Sequence, residues 1–134
     1  MALKATLKLE GKSYDIRDLN YELSKPYDNN YKPSASPQGG IINFTLLTPM
    51  DKNFVFHEWL LSVAEVKSGE FLLPLTHGIK HVERILSFER AYCIHLQESY
   101  SNYGSSQMSM NISISATIIK FSDAVTFLNK EFPG

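Results

Sequence analysis

Residues 107–121, QMSMNISISATIIKF, alternate between apolar side chains and small polar ones. Successive residues of a strand point to opposite faces, so this stretch predicts one long strand with a dry face and a wet face. The wet face carries hydroxyl and amide groups and no charge before Lys120; its residues are Ser109, Asn111, Ser113, Ser115 and Thr117. Such a face fits contact with solvent, and it also fits contact with another protein or with an enclosed lumen. The residues alone leave these interpretations open.

Apolar spacing elsewhere predicts further strands and one helix. We expect strands near residues 3–9, 13–23, 41–48, 70–76 and 82–97, and a short final strand or docked arm in the tail. From about Asn53 to Lys67 the apolar residues recur at helical spacing, with Asp51 and Asn53 as capping candidates and Gly69 as a stop. The pattern predicts a mainly β fold, a small antiparallel β-barrel or tight sandwich with this helix packed on an open end or side. Residues 1–134 are expected to form a single domain.

Two of the strands contain irregularities. The strand near residues 13–23 changes its apolar face midway, which predicts a β-bulge near Arg17 and Asp18. In the strand near residues 82–97, the predicted inward face is interrupted by Arg90 and consists of Leu86, Phe88, Tyr92, Ile94 and Leu96. The polar turn at residues 99–106 is expected to join this strand to the strand at residues 107–121 in a hairpin.

Composition excludes several classes of protein. Hydrophobic residues make up 43% and charged residues 20%, which is typical of a globular chain rather than a disordered one. With 13 basic and 14 acidic residues the formal charge is −1, and no basic run is present. That balance argues against nucleic acid as a partner and against a polybasic membrane anchor. Without an apolar run of membrane-spanning length or a signal-peptide pattern, we expect a cytoplasmic protein with no membrane insertion.

Residues 24–40, SKPYDNNYKPSASPQGG, form the main irregular segment. Its three prolines remove backbone donors and exclude a central strand. The segment fits a mobile loop with incidental tyrosines, and it also fits a loop that docks on a neighbouring surface, where tyrosine gives a large contact area at low entropic cost. For the docking interpretation the candidate contact residues are Pro26, Tyr27, Asp28, Tyr31, Lys32, Pro33, Ser36 and Pro37.

The sequence offers no catalytic, metal or cofactor motif. His57-Glu58 begins like a zinc-protease motif, but Leu61 stands where the second histidine is required. Cys93 and His95 share one strand face, yet alternate residues of a strand lie roughly 7 Å apart, too far for a nucleophile and its base. We therefore expect no catalytic residues, no metal site, no cofactor and no enzyme activity.

An ordered set of segments along nearly the whole chain carries a family resemblance. The segments are Tyr21-x-Leu23-x-x-Pro26-x-Asp28, Lys32-Pro33-x-x-Ser36-Pro37-x-Gly39-Gly40-x-Ile42, the helix with Phe56 and Trp59 that closes through Lys67-x-Gly69-Glu70, Ala91-Tyr92-Cys93, and Ser106-Gln107-Met108 leading into Ile112-x-Ile114-Ser115-Ala116. Together they resemble the Hcp (TssD) family, the tube protein of type VI secretion, in its divergent branch with a Pro-rich loop. The chain departs from that pattern at Tyr31, where a glycine is expected before the Lys-Pro pair.

The resemblance implies a structural role. It implies a small β-barrel with one helix that forms hexameric rings, and rings that stack into a tube expelled by a contracting sheath without a signal peptide. Its partners would be further copies of the chain, the sheath, spike and baseplate proteins, and effector proteins carried or chaperoned by the tube. On this basis we expect the loop to contact a neighbouring ring, and the polar strand face to line the lumen or meet an adjacent subunit.

The alternative interpretation is a small-ligand-binding β-barrel carrier. A carrier needs a hollow interior. Here the interior is expected to be filled by Phe44, Leu86, Phe88, Tyr92 and Ile114.

Overall fold

The computed structural model describes residues 4–104 and 107–129, which form seven strands and one helix. The strands are β1 (Thr6–Leu9), β2 (Lys12–Tyr21), β3 (Ile41–Leu47), β4 (Lys67–His77), β5 (Lys80–Ser101), β6 (Gln107–Phe121) and β7 (Val125–Leu128). The helix, α1, spans Val55–Leu61. Strand β6 has the bounds expected from its alternation, and the tail contains a short strand; the rest of the tail lies outside the described residues.

All pairings are antiparallel, and they close a barrel. The strand order is β3-β2-β1-β4-β5-β6-β7, and an additional pairing of β3 with β6 joins the sheet to itself. Six strands therefore form a ring, with β7 attached outside it, among the residues that the structure describes. The expected mainly β barrel with one helix is confirmed, and closure removes most of the free sheet edges.

Strand β6 divides one of its edges between two partners. Residues Ser109 to Ser115 pair with β3, and residues Ile118 to Phe121 pair with β7. Its other edge pairs with β5 in the predicted long hairpin. The strand is therefore held on both sides over most of its length.

Helix α1 is shorter than predicted. It ends at Leu61, because Ser62 adopts an extended conformation and the chain enters β4 at Lys67. Gly69 is therefore not the helix stop but a strand residue paired with Leu9 and Phe88. The helix packs on β5, as expected for a helix on an open side of the sheet. No helix within the described residues combines the length and hydropathy that crossing a bilayer requires.

The inward face of β5 changes at Arg90, which the sequence pattern did not predict. Arg90 has a φ of 55°, and the pairing of β4 with β5 shifts register opposite it. Before this bulge Leu86 and Phe88 are buried; after it the buried residues are Ala91 and Cys93. The expectation that Tyr92 and Ile94 face inward is wrong, since Tyr92 is only partly buried and Ile94 is half exposed. The bulge predicted in β2 is confirmed between Ile16 and Asp18.

Aromatic rings fill the barrel interior. The rings of Phe44 and Phe71 lie 5.0 Å apart edge to face, Phe71 and Phe88 lie 5.5 Å apart, and Trp59 stacks on Phe88 at 6.5 Å. These side chains, with Phe56 and Ile114, are buried. The interior is thus a packed core, to which the helix contributes Phe56 and Trp59.

Candidate functional site

The neutral face of β6 continues across three neighbouring strands. Pairing places Asn43 of β3 between Asn20 of β2 and Ser113 of β6, and Ser113 opposite His95 of β5. The next row holds Asp18, Thr45, Asn111 and Gln97 in the same strand order. We call these eight residues the polar face. Their side chains point away from the core, which the intervening apolar residues fill.

Hydrogen bonds between side chains connect neighbouring strands across the polar face. The hydroxyl of Ser113 donates to Oδ1 of Asn43 at 2.5 Å, and Nδ2 of Asn43 donates to Oδ1 of Asn20 at 3.0 Å. In the next row the hydroxyl of Thr45 donates to Oδ1 of Asn111 at 2.6 Å. Bonds across strands fix rotamers, so this surface presents ordered amide and hydroxyl groups.

Fixed charge is scarce on the polar face. Asp18 is its one carboxylate, and the face contains no lysine, arginine or glutamate. A shallow groove of about 330 Å³ runs over it. A solvated sheet face commonly carries lysine and glutamate, so this composition distinguishes the polar face from ordinary surface.

The five β6 residues predicted from the sequence have different environments. Asn111 and Ser113 lie within the hydrogen-bonded rows, and Ser109 extends them towards the β5–β6 turn. Ser115 is only 8% exposed, and it pairs with β3 on one side and with β5 on the other. Thr117 donates its hydroxyl to the main-chain oxygen of Arg90 at 2.9 Å. Only the first three therefore offer their polar groups to an outside surface.

Backbone hydrogen bonds organise the loop between β2 and β3. Ser24 and Gln38 exchange two main-chain bonds, of 2.9 and 2.6 Å, which close the neck of the loop. Further out, the amide of Asp28 donates to the oxygen of Lys32, and Oδ1 of Asp28 accepts from the amides of Asn30 and Lys32. These bonds support a folded loop with a turn at its tip, and carboxylate-to-backbone bonds of this kind are typical of turns.

Two exposed tyrosines occupy the tip of this loop. Tyr27 and Tyr31 are 65% and 82% exposed, and their rings stack with centroids 5.5 Å apart. Tyr31 has a φ of 62°, a conformation that glycine adopts without strain, and this is the position where the family resemblance leads one to expect glycine. Of the eight candidate contact residues, Pro26 is partly buried, and Tyr27, Asp28, Tyr31, Lys32, Pro33, Ser36 and Pro37 are exposed.

Gly40 anchors the base of the loop to the barrel. Its φ is 98°, and a Cβ built there would lie 2.8 Å from the main-chain oxygen of Ala116. The oxygen of Gly40 accepts a hydrogen bond of 2.7 Å from the amide of Ala116, which extends the pairing of β3 with β6. Glycine is required here by both its backbone conformation and the close approach of β6.

Large apolar side chains are exposed at many points outside the loop. Examples are Met50, Ile79, Val63 and Tyr103, each more than nine-tenths exposed. Single exposed apolar residues are common in monomers, whereas contiguous apolar patches are typical of surfaces that other chains cover.

Cys93 and His57 both have their contacts within the fold. The Cys93 thiol contacts the main-chain oxygen of His95 at 3.8 Å, and burial raises its pKa to about 11, so it stays protonated at neutral pH. Nε2 of His57 lies 2.7 Å from Oε1 of Glu98 and so ties α1 to β5. Within residues 4–104 and 107–129, no three His, Cys, Asp or Glu residues lie close enough to hold a metal ion.

Comparisons with known proteins agree with this architecture. Hcp1 from Flavobacterium johnsoniae is 22% identical, with 95% of this chain and 100% of that one covered at a TM-score of 0.77. A mutant of Hcp1 from the E. coli EAEC 042 pathovar is 13% identical, with 94% and 97% covered at a TM-score of 0.71. A chain of the sheath–tube complex of an extracellular contractile injection system is 15% identical, with 88% and 87% covered at a TM-score of 0.51.

These structures share the fold of this chain. A search of curated proteins gave no match. A family model described as hemolysin coregulated protein Hcp (TssD) matches residues 1–129. Because this match spans nearly all of the 134 residues, the chain belongs to the Hcp (TssD) family, the tube proteins of type VI secretion systems.

Proposed function

We propose that this chain is a structural subunit of the type VI secretion inner tube, that it assembles into hexameric rings, and that these rings stack. The observation that carries the proposal is the polar face: four strands present ordered, almost uncharged amide and hydroxyl groups. Such a surface is unlike an ordinary solvated sheet face, and it suits the inner wall of a tube through which proteins pass.

The polar face lines the lumen of the proposed tube. Neutral groups that are already hydrogen-bonded to each other, such as Ser113 to Asn43 and Thr45 to Asn111, have less capacity left to bind cargo. The near absence of charge also keeps effector proteins of either sign from being held. The tube can then carry or chaperone effectors without binding them tightly.

Two different surfaces on each subunit make the contacts of the proposed tube. A ring closes through heterologous contacts, in which one patch meets a different patch on the next copy. The loop at residues 25–38, with Tyr27 and Tyr31 at its tip, contributes the contact between stacked rings. Exposed apolar residues at both ends of the barrel are consistent with burial in such an assembly.

The remaining features of the proposal rest on family membership rather than on any one segment of this chain. The subunit is made in the cytoplasm and is expelled through the secretion apparatus. Its partners there are the sheath, spike and baseplate proteins and the effectors. Its proposed role is structural and requires no catalysis, cofactor or metal.

Size-exclusion chromatography with negative-stain microscopy of the purified chain tests the proposal. We expect ring-shaped particles of about six subunits, in line with closed cyclic symmetry. A chain that remains monomeric over a wide range of concentration would overturn it. Co-purification of a lipophilic ligand with such a monomer would favour the carrier instead.

A further inference from the structure

Strands β3 and β7 meet end to end along one edge of β6. The pairing with β3 runs to Ser115, and the amide of Ala116 then donates a hydrogen bond of 2.7 Å to the oxygen of Gly40. The next residue, Thr117, accepts a bond of 2.8 Å from the amide of Asn129, which directly follows β7. Gly40 and Asn129 are therefore bonded to consecutive residues of β6.

The side chain of Asn129 crosses this junction to the base of the loop between β2 and β3. Its Nδ2 donates a hydrogen bond of 3.2 Å to the main-chain oxygen of Gly39. A Cβ built at Gly40 would lie 2.7 Å from the same Nδ2 atom, so the side-chain amide packs directly against the Gly40 backbone. The residue before Gly39 is Gln38, which exchanges two main-chain bonds with Ser24 at the neck of the loop. The end of β7 thus contacts the residue adjoining the neck.

Strand β7 is held less firmly than the six strands of the ring. It pairs with β6 alone, through four residue pairs, and its outer edge has no partner strand among the described residues. Val125 and Leu128 are more than half exposed, and Phe127 is the one buried residue of this strand. Local opening requires less free energy where few apolar contacts and few backbone bonds are lost. We therefore expect β7 to detach from β6 more readily than the strands of the ring separate.

We propose that β7 and Asn129 act as a latch on the loop between β2 and β3: while β7 is paired with β6, Asn129 holds the neck closed, and when β7 detaches, the neck opens more often. Detachment breaks the main-chain bond to Thr117 and moves Nδ2 away from Gly39. The neck then loses one of its attachments to the barrel. The latch lies within one copy of the chain, so it goes beyond the proposed function and does not depend on assembly.

Amide hydrogen exchange, measured by mass spectrometry with fragmentation to single residues, tests the side-chain part of the latch. Asn129→Ala removes the amide group. Asn129→Asp keeps its shape but replaces the donor by a carboxylate oxygen, which only accepts hydrogen bonds when ionised. In both variants we expect the amides of Ser24 and Gln38 to exchange about three- to tenfold faster than in the parent chain, as the loss of one hydrogen bond implies. Thr126→Ala, at an exposed position of β7, is the matched control and should keep the parent rates.

A second variant tests the strand part of the latch. Phe127→Ala removes the buried side chain of β7 and should raise the population in which β7 is detached. We expect the amide of Asn129 and the two neck amides, those of Ser24 and Gln38, to exchange faster together. Amides of the pair Phe44 and Ile112, in the ring, should keep the parent rate. Samples are compared at the same assembly state, checked by size-exclusion chromatography, because stacking could itself protect the loop.

The outcomes distinguish the latch from the proposed function. Neck amides that keep the parent rate in Asn129→Ala and Asn129→Asp would overturn the latch and leave the tube standing. Faster exchange at Asn129 alone in Phe127→Ala would overturn it as well. Equal acceleration of all barrel amides would do the same, since β7 would not open as a separate unit. A chain that stays monomeric but shows the expected exchange would support the latch and overturn the tube.

Discussion

The indole Nε1 of Trp59 donates a hydrogen bond of 3.0 Å to the main-chain oxygen of Ala91. Trp59 is fully buried, and Ala91 directly follows the Arg90 bulge of β5. The bond therefore joins the helix to the point where β5 changes its inward face. Its acceptor is the carbonyl of a buried residue, and this bond would be lost if the indole were removed.

We predict that Trp59→Phe lowers the free energy of unfolding by about 1–3 kcal/mol, because it removes the hydrogen bond to the Ala91 oxygen and part of a buried ring. Trp59→Ala should cost more, roughly 3–5 kcal/mol, since it also opens a cavity beside Phe88. Urea denaturation at a fixed protein concentration measures both. Leu61→Ala, on the same helix but 80% exposed, is the control and should change stability by less than about 0.5 kcal/mol. Equal losses in all three variants would contradict this account of the helix.

Stability is predicted to fall at alkaline pH, because three groups in the part of the chain that the structure describes have raised pKa values. Burial raises the pKa of the Cys93 thiol from 9.0 to about 11 and also raises that of Tyr14. For Lys67, burial alone lowers the pKa, but the hydrogen bonds to Glu10 and Glu65 outweigh it, so the pKa is raised. In each case the unfolded chain releases its proton at a lower pH than the folded chain does. Stability therefore decreases as pH rises.

For Cys93 this decrease falls between pH 9.0 and about 11. Unfolding titrations across that range should show a steep fall for the parent chain and a shallower one for Cys93→Ala. The comparison concerns the slope, so any constant loss from the smaller side chain cancels. An identical slope in both proteins would mean that the thiol ionises equally in the folded and unfolded chains.

Strand positions could be predicted more reliably than the faces of the long strands. The bounds of β6 follow from its strict alternation, and the pairing of β5 with β6 follows from the polar turn between them. The sequence marks Arg90 as an interruption of the apolar face, but the pattern does not show that the inward face switches there, because it is apolar on both sides of Arg90. The helix was predicted too long because Val63 and Val66 continue its spacing. In the structure Val63 is 97% exposed, while Lys67 begins β4.

The candidate site shows the same limit. The alternation in β6 predicts that Asn111 and Ser113 point to its polar side. The other six residues of the polar face lie on β2, β3 and β5, and the sequence does not show that these strands lie beside β6 in this order. Asn43 and Thr45 alternate with buried Ile42, Phe44 and Leu46, so their outward direction was readable from the sequence. The sequence did not predict that they lie beside Ser113 and Asn111, because that position depends on closure of the barrel between β3 and β6.

Tyr31 has a left-handed backbone conformation, which is unfavourable for any residue with a Cβ. With φ at 62°, a residue bearing a Cβ costs roughly 1–2 kcal/mol relative to glycine. We therefore expect Tyr31→Gly to be more stable than Tyr31→Ala by about 1 kcal/mol once the flexibility of unfolded glycine is counted. Urea denaturation of both variants checks this, and the reverse order would show that the loop tip rearranges. Both variants lack the exposed aromatic side chain of Tyr31, so hexameric rings of either variant should not stack into tubes normally.

The tyrosine pair is predicted to act in assembly and not in folding. Tyr27 and Tyr31 contact each other at the exposed tip, so replacing both by alanine should change the free energy of unfolding by less than about 1 kcal/mol. Stacking should weaken, with shorter tubes and single rings in electron micrographs. Val63→Ala removes another exposed apolar side chain and should leave tube length unchanged. Tubes of normal length and yield in the double variant would remove the loop from the stacking contact.

Ser113→Arg tests the assignment of the polar face to the lumen. Ser113 lies in the middle of the face, and its loss removes one hydrogen bond to Asn43, a cost of about 0.5–1.5 kcal/mol that should leave the fold intact. In the proposed hexameric ring, a large cation in each subunit would narrow the lumen and make it positive, so we expect normal rings and secretion reduced to background. Thr126→Arg, on exposed β7, is the matched control and should secrete normally. Rings that fail to form in Ser113→Arg would instead assign the polar face to a contact between subunits, while normal secretion would place it on neither surface.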